Sequence, residues 1–107
     1  MACETEATFK SAVAYVYTTE QESEDAAVLQ KGAAREIAAA LLISSIAFFE
    51  DHGKARPNYL KMLETINTRK VDYIIVQNYR RINQYADEAE KIVKEFEQHG
   101  ARVIFTG

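Results

Sequence analysis

Residues 72–84 read Asp72-Tyr73-Ile74-Ile75-Val76-Gln77-Asn78-Tyr79-Arg80-Arg81-Ile82-Asn83-Gln84. A short β-branched run passing into a polar, doubly basic turn is how a parallel α/β sheet presents cations at the carboxyl end of a strand. Ligands of such sheets bind at that end. Cations there suit a ligand that carries phosphate.

Working outward, the flanking segments complete an alternating pattern. Upstream, Pro57 is placed to open a helix, since its missing N–H costs nothing at the first helical position. Leu60, Leu63 and Ile66 follow at helical spacing. Before that, Ile46-Ala47-Phe48-Phe49 forms a strand that ends in the polar loop Glu50 to Arg56. An alanine-rich helix precedes it, running from an N-cap at Ser23 to about Leu42, with Val28, Ile37 and Leu41 able to share one face. The first strand is Ala12 to Thr18, small, β-branched and aromatic on both faces. Downstream of the basic turn, a helix from about Asp87 to His99 turns Ile92, Val93 and Phe96 inward, and Gly100 ends it. Arg102 to Thr106 is the last strand. Strand and helix alternate four times. The expected fold is therefore flavodoxin-like α/β, a three-layer sandwich whose mostly parallel sheet of about four strands carries helices on both faces. Residues 1–10 are polar and aperiodic and are expected to be a flexible leader to a single domain over 11–107.

Composition narrows the function classes. At 107 residues the chain holds one core, and its net charge of −3 gives no global attraction to nucleic acid, so DNA binding must rest on a local patch. The single cysteine, Cys3, fits a reducing compartment, and no apolar stretch is long enough to span a bilayer. A cytoplasmic location with no membrane partner is expected. No GxGxxG or GxxxxGK[ST] occurs, and no His, Cys or acid pattern has metal-ligand spacing. Neither metal nor cofactor is expected. A phospho-acceptor receiver would need acids after the first strand and an aspartate after the third, where this chain has Thr18-Thr19 and Gln77.

Four segments in order, AYVYTTEQ at 14–21, Gln30, EDHGKARP at 50–57 and VQNYRRINQ at 76–84, resemble the serine recombinases, the resolvase/invertase family of site-specific DNA recombinases. The catalytic domain of that family has a strand ending Tyr-x-Arg-Val-Ser-Thr, a glutamine on the first helix, an Asp…Ser-Gly…Arg-Pro loop, and a third strand entering Leu-Asp-Arg-Leu-x-Arg. The resemblance covers about residues 12–107. By position, it implies that Thr19 stands for the serine nucleophile, with Gln30, Asp51, Arg56 and Arg81 as the remaining site residues. Arg80, Arg81 and Arg56 are the candidate phosphate or DNA contacts. It further implies DNA as a partner, held weakly without a further DNA-binding domain, and association with itself or with another recombinase.

The departures from the family pattern bear on mechanism. Such enzymes attack a DNA phosphodiester with a serine hydroxyl and form a phosphoseryl link without metal, so arginines must neutralise the developing charge. Here Tyr17 and Gln84 stand where two of those arginines belong. Losing one preorganised charge contact costs about 2.7–4 kcal/mol at the transition state, and two would slow chemistry roughly 10⁴-fold or more if additive. The expectation is a poor strand-cleavage catalyst, or none. Thr19 remains a chemically competent nucleophile. The competing reading is a flavodoxin-like binding or dimerisation module with an anion site and no recombinase activity.

Overall fold

A computed structural model describes residues 10–107. Eight elements follow in order: β1 (Ser11–Thr18), α1 (Glu24–Ala40), β2 (Ser45–His52), α2 (Pro57–Thr68), β3 (Tyr73–Val76), α3 (Tyr79–Ile82), α4 (Ala86–Gln98) and β4 (Arg102–Phe105). The four strands form one parallel sheet in the order β2-β1-β3-β4. The expected leader lies almost wholly outside the described residues.

The alternation of side chains across the sheet sorts two cores. On one face Val13, Tyr15, Ile74 and Val76 meet Met62 and Ile66 of α2, Ile82 of α3 and Phe96 of α4, all buried. On the other, Ala12, Ala14 and Ile75 meet Ala34 of α1. Helices thus cover both faces, as the alternating pattern requires. β1 and β3 are buried on both sides, which explains their nearly unbroken apolar sequence.

The inward faces of two helices differ from the sequence expectation. α1 buries Ala27, Gln30, Ala34 and Ala38, whereas Val28 is 63% exposed and Leu41 40%. Alanines at i, i+7 and i+11 (Ala27, Ala34 and Ala38) let the helix lie close on a sheet face that is itself small at Ala12 and Ala14. A branched side chain on that stripe would hold it away. In α2 the buried residues are Met62 and Ile66, and Leu60 points outward. The basic turn after β3 also contains one helical turn, α3, started by Asn78, whose side chain accepts from the Arg80 N–H at 3.1 Å.

α1 and α4 end alike. The Ile43 N–H donates to the Ala38 carbonyl and the Leu42 N–H to that of Ala39, while Ala101 and Gly100 do the same to Phe96 and Glu97. This paired closure needs a left-handed residue just past the helix. Gly100 takes it at φ 89°, but at the end of α1 the residue is Leu42, at φ 55°.

Candidate functional site

The sheet makes its own cleft. β1 pairs with β2 as far as Thr18 and His52, but with β3 only as far as Tyr15 and Val76. Beyond Tyr15 the first and third strands part, at the switch point where connections leave in opposite directions. The backbone of Tyr17, left without β3, is served by side chains instead. Gln30 accepts from its N–H at 3.1 Å and donates to its carbonyl at 2.9 Å. Arg81 Nη1 donates to the same carbonyl at 3.1 Å.

An open groove of about 1080 Å³ lies over this cleft, and its lining includes Thr19, Glu22, Arg56, Arg80 and Arg81. Thr19, Arg56 and the Arg80–Arg81 pair, distant in sequence, therefore share one wall system. Gln30 and Asp51 do not reach it. Gln30 is buried behind Tyr17. Asp51, at the end of β2, is buried as well, and accepts from the Tyr15 hydroxyl at 2.9 Å and from the first-turn amides of α2, Asn58 at 3.0 Å and Tyr59 at 2.8 Å. A carboxylate there satisfies orphan helix amides and favours the positive end of the helix dipole. Burial, with this hydrogen bond to Asp51 next, pushes the Tyr15 hydroxyl well above the usual phenol range. Tyr15 therefore stays protonated and donates.

Each groove cation has a different local situation. Arg56 precedes α2, and its Nη1 donates to the carbonyls of Arg81 at 3.0 Å and Ile82 at 2.8 Å. Its guanidinium lies 3.8 Å from the centre of the Tyr17 ring, and the Tyr17 hydroxyl donates to the Gly53 carbonyl at 2.6 Å. Arg56 thus locks α3 and the loop after β2 onto the end of β1. Arg81 is more fully engaged. Its Nε donates to Gln77 Oε1 at 2.8 Å, and Nη1 and Nη2 grip the two oxygens of Glu22 at 2.6 and 3.0 Å. Glu22 Oε1 also accepts from the Thr19 N–H at 2.8 Å. The Arg81 bonds, followed by that amide, hold the Glu22 carboxyl at a pKa of about 2. Arg80 and Lys54 line the same groove, are exposed, and make no side-chain hydrogen bond or ion pair among the described residues.

Glu22 is a groove residue that the sequence did not single out. The signal lay in Thr19-x-x-Glu22, the spacing at which a glutamate reaches back to the amide of a preceding hydroxyl residue. Ser23, expected to cap α1, holds the N-cap position without a side-chain bond. Among the described residues no three His, Cys, Asp or Glu side chains gather where a metal could be held, and no helix is long and apolar enough to cross a membrane.

A doubly wound parallel domain with arginines at its switch point and no glycine-rich phosphate loop defines the class. The resolvase N-terminal domain model matches residues 12–107, and the chain belongs to that family. Among solved structures it is similar to the C-terminal catalytic domain of ISC1926 TnpA, an IS607-like serine recombinase, with TM-score 0.79, 18% identity, and 91% of this chain and 67% of that one covered. It is similar also to the N-terminal catalytic domain of TP901-1 integrase, with TM-score 0.76, 18% identity, and coverage of 91% and 77%. A resolvase-family site-specific recombinase from Streptococcus pneumoniae gives TM-score 0.78, 19% identity, and coverage of 91% and 72%. Comparison with curated proteins gave no match. The chain is a resolvase-type domain, and the family match favours this over an unrelated anion-binding module.

Proposed function

We propose that this domain holds a DNA phosphodiester in the groove of Thr19, Arg56, Arg80 and Arg81, and that its capacity for strand cleavage is impaired. One observation carries the second half: the guanidinium of Arg81, the arginine best matched to the family motif, is already gripped by Glu22. A cation that a ligand must first win from an internal carboxylate gives correspondingly less net stabilisation to charge developing on a phosphoryl oxygen. Tyr17 and Gln84, in place of two further arginines, act in the same direction. Thr19 supplies a hydroxyl to the groove, but the carboxylate beside it, Glu22, is held at a pKa of about 2 and engaged by Arg81, which makes it a poor general base.

Family membership supports DNA as the partner, and names such as site-specific recombinase and integrase among the similar structures point the same way. Self-association, or pairing with another recombinase, belongs to the same reading, as does action in the reducing cytoplasm suited to a single unpaired cysteine. Binding by this domain alone is weak, because the net charge of −3 opposes it outside the groove.

The test is incubation of the protein with mixed-sequence DNA duplexes, read by anisotropy and by denaturing gel. Weak, salt-sensitive binding with no covalent adduct is expected. An adduct at Thr19, lost in Thr19→Ala, overturns the impairment. Absence of any binding at low salt overturns the phosphodiester reading.

A further inference from the structure

We propose that Glu22 is a built-in stand-in for phosphate on Arg81, and that an entering phosphate displaces it. This rests on the reading of the groove as a phosphate site and adds how access to that site is controlled. A carboxylate and a phosphate offer a guanidinium the same pair of oxygens, so both take the forked, two-bond geometry that Glu22 takes at 2.6 and 3.0 Å. The pair sits on the wall of the open groove rather than behind it, since both residues line it.

Two features distinguish this from an ion pair that merely props up the fold. Arg81 does not depend on Glu22 for its position, because Gln77 Oε1 holds its Nε and the Tyr17 carbonyl holds its Nη1. Glu22 in turn lies in the short link between β1 and α1, outside any regular element, with its side chain 29% exposed against 16% for Arg81. The carboxylate can therefore swing to solvent while the guanidinium stays.

The displacement exposes more than one donor. Glu22 Oε1 holds both Arg81 Nη1 and the Thr19 N–H. Its departure frees one N–H donor on each of Nη1 and Nη2 and the backbone amide of Thr19 together, all beside the hydroxyl at the family nucleophile position. A phosphate that enters inherits all three. The exposed Lys54 and Arg80 at the same groove attract the anion that competes. The exchange is charge for charge, so the domain in its resting form presents no strong anion site. It acquires one only when a ligand outbids the internal carboxylate.

The experiment is titration of the full chain with inorganic phosphate, followed by calorimetry and by the Thr19 amide resonance. Glu22→Gln retains an acceptor for the Thr19 N–H and removes the charge. It is expected to bind phosphate roughly tenfold or more tightly than wild type, the equivalent of one charge-assisted hydrogen bond. The gain should vanish in Glu22→Gln/Arg81→Gln. In the wild type, saturating phosphate should shift the Thr19 amide as its bond to Glu22 breaks, which keeps the test decisive if the variants fold poorly. Equal phosphate affinity in wild type and Glu22→Gln, or an unmoved Thr19 amide at saturation, overturns the proposal. Tighter phosphate binding by Glu22→Gln with no gain for a DNA duplex supports the stand-in role and counts instead against DNA as the ligand.

Discussion

The inner wall of the groove and its rim carry the same kinds of cation but use them in opposite ways. On the wall, Arg56 and Arg81 spend hydrogen bonds on carbonyls, on a glutamine and on Glu22. At the rim, Lys54 and Arg80 are exposed. Adjacent in sequence, Arg80 and Arg81 fall on opposite sides of this division. The difference teaches that a basic motif read from sequence mixes charge already engaged within the fold with charge left open to a ligand, and that only the partner groups separate them.

The division can be tested by substitution, beginning where the wall is anchored. Asp51→Ala strips acceptors from the Tyr15 hydroxyl and two helix amides, all in buried surroundings. It should lower stability by about 3 kcal/mol or more in urea denaturation. A loss within the error of the measurement would mean that Asp51 is not part of the frame. Arg56→Ala follows, at about 2 kcal/mol, from two carbonyls without a donor and a lost contact over the Tyr17 ring.

Glu22→Gln probes the bridge between wall and groove through pH. The folded-state pKa of about 2 lies below the ordinary 4.5. The stability contributed by ionised Glu22 is therefore complete above about pH 5 and is lost as pH falls toward 2. The stability gap between wild type and Glu22→Gln should narrow over that window. A gap independent of pH would show that the ion pair contributes nothing.

At the rim, Arg80→Gln and Lys54→Gln should change stability by less than about 0.5 kcal/mol. Each should nonetheless weaken DNA binding and reduce its salt slope by about 1, in line with one lost phosphate contact. A stability cost as large as that of Arg56→Ala would erase the distinction between rim and wall.

Much of this organisation was legible beforehand, and the parts that were not have identifiable causes. The alternation of strands and helices and the position of the groove followed from the apolar runs and from the polar segments after them, because burial on both faces leaves a strong mark on β1 and β3. The inward stripe of α1 did not, since in an alanine-rich helix the larger Val28 and Leu41 look like core residues. Close helix–sheet packing selects the small ones. Gln30 and Asp51 matched family site positions, yet both are buried supports, serving the Tyr17 backbone and the start of α2. Neither sequence nor spacing tells a ligand-facing amide from one that completes a strand. The Glu22–Arg81 pair escaped because its members lie 59 residues apart, and only the parting of β1 from β3 brings them together.

Leu42 offers a practical handle on all of these variants. A leucine 84% exposed gives the core almost nothing, while its φ of 55° suits glycine. Leu42→Gly should raise the melting temperature, with a gain of about 1 kcal/mol. It lies at the far end of α1 from the Thr19–Glu22 link, so the change leaves the groove lining untouched. A background stabilised in this way would let the damaging wall variants be assayed for ligand binding as folded proteins, turning one local misfit into a reserve for dissecting the rest.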